Sequence, residues 1–260
     1  MNQIGWCAGI EQAELLAAHG LDYVECALSS LQVEDERSLG ERIPLYVNSP
    51  LPVRALNIFA PDGMKLVGPQ VDRERIRRYV NKAGEAASRI GVEVVVLGSG
   101  KARMIPENWE RQHAEDQMLE LLNWIAEDWQ GNGITLTLEP LNRKESNLMN
   151  SVADAVHLAK QINSPTVRVL ADFYHMDEEK EPLDTILTHK DCIAHIHLAD
   201  TGRHAPGTGV YPYQKLSEIL QAISYTGKLS AECHWPALNG GLSDSISYLK
   251  EVISRIHKGA

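Results

Sequence analysis

The chain is poor in the features that mark secreted, membrane-spanning or nucleic-acid-binding proteins. Its 260 residues include four cysteines, at 7, 26, 192 and 233, with no CxxC pair and no regular spacing. That excludes a dense disulfide framework and a thiolate zinc knuckle, and it predicts reduced thiols in a cytoplasmic protein. No apolar run is long enough to cross a bilayer, and the opening stretch MNQIGWCAGIEQAELLAAHG lacks a basic segment followed by an apolar one. Positive charge is in deficit, with 25 Lys and Arg against 35 Asp and Glu and a formal net charge of −10, which argues against nucleic acid or an anionic membrane surface as partner. No GxGxxG follows the first apolar strand pattern, and GSGKAR (98–103) departs from the P-loop spacing, so a dinucleotide or nucleotide site is not indicated. Linkers, short repeats and low-complexity stretches are absent as well.

What is present is an alternation. Short β-branched runs at 3–7, 22–26, 53–58, 92–97, 134–139, 167–172, 193–198 and 228–233 read as strands. Between several of them lie segments with apolar residues three and four apart, at 72–90, 110–130, 151–162, 213–224 and 242–256. In the first of these, Ile76, Val80, Ala83, Ala87 and Ile90 share one face, and Gly91, Gly131, Gly133 and Gly227 mark exits before the next strand. Residues 27–52 are less regular and read as a loop with a short helix. Eight alternations in one chain of this length predict a single-domain α/β fold over 1–260, a (β/α)8 TIM barrel, with a doubly wound open sheet as the alternative.

The last four strands share a grammar: ITLTLEP, VRVLADF, IAHIHLAD and KLSAECHW each run apolar and end in chemistry. Successive side chains alternate across a strand. If the apolar parity packs on the helices, then Glu139, Asp172, His197 and Glu232 point into the barrel and converge at its C-terminal mouth, where such barrels place their sites. Three carboxylates and an imidazole in one place would repel one another and raise one another's pKa. A divalent cation relieves this, and oxygen-rich ligation with one nitrogen suits Mn2+, Mg2+ or Co2+ better than structural zinc. The plainer alternative is an ion-pair and hydrogen-bond network inside the barrel.

LEPLNRKE (138–145), ADFYH (171–175), HIHLADTGRHAPGTG (195–209) and AEC (231–233) resemble the ketose 3-epimerase family, whose members act on tagatose, psicose and ribulose. That family lies within the xylose-isomerase-like TIM-barrel superfamily. The resemblance is close over the second half of the chain and looser in the first, through VLGSGKAR (96–103). It implies a metal-dependent isomerase or epimerase of carbohydrate metabolism, with a sugar or keto-sugar as substrate and Mn2+ foremost among the ions. Glu139, Asp172, His197 and Glu232 would be the metal ligands. Glu139 and Glu232 would also be the catalytic pair, exchanging a proton on the two faces of C3 through a cis-enediolate. His175 and Arg203 would hydrogen-bond the substrate oxygens at C1 and C2, and Glu145 a neighbouring hydroxyl. Relatives suggest a homo-oligomer, a dimer or tetramer.

Some residues stay open at this stage. His195 reads as a core histidine or a partner to a ligand, and Asp200 as a support for Arg203 or a loop cap. No role is assigned to His204. Trp6, Trp109 and Trp235 either wall a sugar pocket or pack the core. The same barrel also supports a metal-dependent lyase or dehydratase and an aldose–ketose isomerase of the hydroxypyruvate type. Apurinic-site DNA cleavage would need more histidines and a basic face.

Overall fold

A computed structural model of the chain describes residues 2–235 and 241–256. Eight parallel strands close into a barrel in sequence order: β1 (Ile4–Cys7), β2 (Tyr23–Ala27), β3 (Val53–Asn57), β4 (Val94–Leu97), β5 (Thr135–Leu138), β6 (Val167–Asp172), β7 (Ile193–Leu198) and β8 (Lys228–Ala231). The β1–β8 pairing, with Gly5 beside Ser230 and Trp6 beside Ala231, completes the ring. The helices are α1 (Ala13–Ala18), α2 (Glu36–Val47), α3 (Arg73–Ile90), α4 (Arg111–Asp128), α5 (Val152–Ile162), α6 (Phe173–Glu178), α7 (Asp184–Thr188), α8 (Tyr213–Ala222) and α9 (Gly241–Ile256). The predicted (β/α)8 architecture is therefore the one observed, and the open-sheet alternative is excluded. No helix among the described residues is long and apolar enough to cross a membrane.

Local chemistry explains the elements. In α3, the carboxylate of Asp72 accepts the backbone N–H of Arg75 at 2.9 Å and so caps the helix, while Ile76, Val80, Ala83 and Ala87 are buried against the barrel wall. α5 opens with a capping box in which Ser151 Oγ accepts from Asp154 N–H and Asp154 accepts from Ser151 N–H. Segment 27–52 corrects the sequence reading. It holds a 3-10 turn at Leu28–Leu31 and then a full twelve-residue helix, α2, capped by Asp35. Pro44 and Gly40 hid it, because both interrupt the helical pattern. Gly40 lies four residues before Pro44, and the space around it is open.

Parity holds around the ring. Outward-facing strand residues such as Leu136, Val169, Ile196 and Leu229 join the large core beneath the helices. Tyr23, Ala55, Val94, Val96 and Leu170 form a separate apolar cluster that fills the barrel interior. That plug leaves the polar ends of the strands at the mouth.

Candidate active site

Four strands deliver four donors. Asp172 ends β6, His197 is the penultimate residue of β7, and Glu139 and Glu232 follow the last residues of β5 and β8. One ligand atom from each lies within 4.8 Å of all the others. The imidazole sits at the centre, with His197 Nδ1 at 3.2 Å from Glu139 Oε1, 3.3 Å from Glu232 Oε2 and 3.7 Å from Asp172 Oδ2.

The orientation of His197 is fixed from behind by Glu25, a fully buried acid on β2. Glu25 Oε1 accepts from His197 Nε2 at 2.9 Å, and its Oε2 accepts from His195 Nε2 at 2.9 Å and from Ser230 Oγ at 2.5 Å. Placing the proton on Nε2 turns the Nδ1 lone pair toward the three carboxylates. Burial alone would raise the Glu25 carboxyl, but the two imidazoles beside it hold it well below the ordinary carboxylate range. His195 is thus neither a ligand nor an idle core residue; it is the second imidazole that anchors Glu25.

The donor set fits a cation. A lone pair aimed at three carboxylate oxygens is repulsive unless a proton or metal ion stands between them. Asp172 supplies a second sign: its Oδ1 accepts the His175 N–H at 2.9 Å, whereas the buried Oδ2 has no hydrogen bond. The two glutamates are also driven apart electrostatically. Burial and then the charge of Glu232 push the Glu139 carboxyl up, while His197 and Arg203 overcome burial and draw Glu232 down.

Space for Glu139 comes from Gly98 at the exit of β4, where a Cβ would stand 2.0 Å from Glu139 Oε2. Its backbone is held by the buried Arg103, which donates Nη2 to the Glu139 carbonyl at 2.7 Å and Nε to the Gly98 carbonyl at 2.6 Å. Burial outweighs the nearby Glu139 carboxylate and lowers the Arg103 pKa to about 10.

Around this centre stand the remaining predicted residues. His175 Nδ1 accepts from the backbone N–H of Asn142 at 3.2 Å and lies 2.9 Å from Asn142 Nδ2. Those contacts put the proton on Nε2, which is buried and unpartnered and is therefore a free donor. Arg203 donates to Glu232 Oε2 at 2.6 Å and to Glu145 Oε1 at 3.4 Å, with its guanidinium 5.0 Å from the centre of the Tyr174 ring. It sits in a tight turn at φ 64 directly after Gly202 at φ 70. Asp200 builds that turn: its carboxylate accepts the N–H groups of Thr201, Gly207 and Tyr211. It caps the loop and makes no contact with Arg203. A cleft of about 570 Å3 opens beside Arg203 and Glu232, lined also by Cys7, Asn57 and His234. Trp6 is fully buried and meets Trp235 edge-on at 6.3 Å. None of Trp6, Trp109 and Trp235 is among the residues lining this cleft, so a wall role for them is not supported.

The sequence reading missed Glu25, Arg103, Asn142 and Asn57, whose Nδ2 donates to Glu232 Oε1 at 3.2 Å. Glu25 and Asn57 carried a signal, since each is a polar residue at inward parity, sharing its face with Tyr23 on β2 and Ala55 on β3. Arg103 carried none, because a buried arginine bound only to carbonyls looks like any loop cation.

The family model described as xylose isomerase-like TIM barrel matches residues 13–252. The chain belongs to this family. Among its relatives is a 3-dehydro-D-guloside 4-epimerase from Escherichia coli, 28% identical over 170 residues, which are 62% of this chain and 65% of the relative. Another is a D-psicose 3-epimerase from Agrobacterium fabrum, 33% identical over 115 residues, covering 44% of this chain and 40% of the relative. The match thus spans between two fifths and two thirds of these relatives' lengths. Among solved structures, a D-psicose 3-epimerase with D-tagatose from Clostridium cellulolyticum H10 superposes with a TM-score of 0.77 at 20% identity, over 98% of this chain and 95% of the other. That likeness shows the barrel fold.

Proposed function

We propose that the chain is a divalent-metal-dependent sugar epimerase that inverts a hydroxyl-bearing carbon next to a ketone, namely C3 of a ketose. The observation that carries this reading is the pair Glu139 and Glu232, which approach His197 Nδ1 from strands separated by β6 and β7. Two carboxylates reaching one point from different sides of a barrel can address the two faces of one carbon.

Glu139, Asp172, His197 and Glu232 would hold the ion, with Mn2+ the first choice and Mg2+ or Co2+ alternatives; when bound, it supplies positive charge where the ketone oxygen becomes anionic. The proton chemistry belongs to the chain. One glutamate takes the C3 proton, and the C–H electron pair moves into an enediolate. The other glutamate delivers its proton to the opposite face, forming the new C–H bond and inverting the centre. His175 Nε2 and the Arg203 guanidinium donate to the substrate oxygens on C1 and C2, and Glu145 accepts from a neighbouring hydroxyl. Arg203, braced by Glu232 and Glu145, is pre-positioned for this role.

The names of the relatives, a psicose 3-epimerase and a guloside 4-epimerase, support the same step at a carbon beside a ketone. Cys7, Cys26, Cys192 and Cys233 are free, which supports a reducing, cytoplasmic setting. The test is incubation of Mn2+-loaded protein with psicose, tagatose, fructose and ribulose in D2O. Deuterium at C3 with formation of the C3 epimer is expected; deuterium at C1 or a dehydrated product would replace this reading with an aldose–ketose isomerase or a lyase.

A further inference from the structure

The cleft beside Arg203 and Glu232 has a second end. Its volume of about 570 Å3 lies within the span of about 300–1,000 Å3 typical of small-molecule sites. One end carries Glu232, Arg203 and Asn57, the groups nearest the reacting carbons. The other is walled by helix α2, which contributes Arg42 and Tyr46. These two stand four residues apart and so share one face of the helix.

Neither side chain is committed to the polar groups of the fold. Arg42 is only partly exposed, yet it makes no ion pair and no side-chain hydrogen bond among the described residues. Arg203, the other arginine on the lining, is tied to Glu232 and Glu145. Tyr46 is buried, and its hydroxyl is likewise unpaired among the described residues. Burial and then Cys26 push that phenol up and Arg42 draws it back, which puts the guanidinium and the hydroxyl within electrostatic reach of each other. Glu11 is the acid on this side of the cleft and also acts on Tyr46, but it is exposed at the rim. Its carboxylate lies over Gly9, where a Cβ would stand 2.1 Å from Glu11 Oε1, and forms no ion pair with Arg42. Water screens an exposed charge of this kind far more than an enclosed one. A part-enclosed guanidinium without a counter-ion, next to a free hydroxyl, is a receptor for a phosphate or a carboxylate, which it can hold through two parallel N–H donors.

We propose that the α2 end of the cleft binds a terminal anionic group of the substrate, so that the preferred ketoses carry a phosphate or a carboxylate on the carbon farthest from the ketone. The inference rests on the epimerase reading and adds the charge of the substrate to it. Arg42 pairs with the anion and Tyr46 donates its hydroxyl to it, which leaves the ketone end at Glu139 and Glu232. A neutral ketose leaves Arg42 without a counter-ion.

The experiment takes fructose and ribulose, the terminal phosphate of each, and the fructose analogue with a carboxylate at C6. Deuterium uptake at C3 from D2O by the Mg2+-loaded protein reads turnover, and calorimetric titration of the same compounds reads binding without turnover. The parent should favour at least one anionic ketose over its neutral counterpart, and the favoured anion tells phosphate from carboxylate. In Arg42→Gln that preference should fall about 10–100-fold, the scale of a hydrogen bond to a charged group, and Arg42→Lys should restore part of it. Parent and variant are compared on the same sugars, so differences in open-chain content cancel. Equal use of neutral and anionic ketoses by the parent, or a preference unchanged in Arg42→Gln, overturns the anionic end of the cleft. No deuterium uptake from any of the sugars, with anion binding that still weakens in Arg42→Gln, overturns the epimerase reading instead and keeps the anion site.

Discussion

Glu139 occupies space that exists only because residue 98 has no side chain. Gly98→Ala would set a methyl group 2.0 Å from Glu139 Oε2 and push the carboxylate out of the cluster. We expect ion affinity to fall about 10–100-fold, as for loss of other groups that orient ligands, with the barrel intact by circular dichroism. Glu25→Gln tests the support behind His197. An amide offers one acceptor oxygen where the carboxylate serves His197, His195 and Ser230 with two, so one imidazole loses its partner. Calorimetric titration with Mn2+ should show affinity weakened by about 10–100-fold; unchanged affinity would make Glu25 a packing residue only. His175→Ala and Arg203→Ala should behave oppositely, retaining the ion while losing roughly 1.5–3 kcal/mol of stabilisation at a charged oxygen. Elemental analysis beside kcat/KM separates the two classes. The cluster of Glu139, Asp172, His197 and Glu232 was legible in the sequence because strand ends and parity both mark it. Glu25 obeys the same parity, two residues on from inward-facing Tyr23, but lies deeper in a strand whose end carries no other chemistry. Asn142 was not legible, because its contact with His175 bridges the loop after β5 and helix α6, whose mutual placement the sequence pattern does not fix.

Among the elements, the N-terminus of α5 offers a pH test. Its first N–H, on Val152, donates to both oxygens of Glu181 at 3.1 and 3.2 Å, and burial raises that carboxyl to about 7. The folded state therefore holds a proton that the unfolded chain has released above about 4.5. Stability contributed by this group falls as pH rises through the window from 4.5 to 7. Glu181→Gln keeps an acceptor for Val152 and removes the titration, so the variant should gain in Tm over the parent at pH 8 and lose that advantage at pH 5, read by scanning calorimetry. An equal difference at both values would contradict the assignment. Strands were legible at this scale because β-branched runs punctuated by glycine have few other readings. Helix α2 was not, since its stability comes from the Asp35 cap and the burial of Ile43 and Tyr46, tertiary facts that outweigh Pro44.

For the whole molecule, closure of the barrel explains why residues far apart in sequence share one site. Closure of β1 on β8 brings Glu232 to the same mouth as Glu139, and the apolar plug beneath them keeps their carboxylates at the open end. In the proposed mechanism these two carboxylates act on opposite faces of one carbon. Glu139→Gln and Glu232→Gln each keep a coordinating oxygen, so part of the ion should stay bound. Each should lose net epimerisation by about 10²–10⁴-fold, the usual cost of removing a general base. The decisive measurement is proton NMR of both substrate epimers in D2O for the two variants, with ion content determined in the same samples. No net epimerisation is expected in either variant, with residual C3 exchange on one epimer in Glu139→Gln and on the other in Glu232→Gln; epimerisation near the parent rate in either ion-replete variant would overturn the two-carboxylate mechanism.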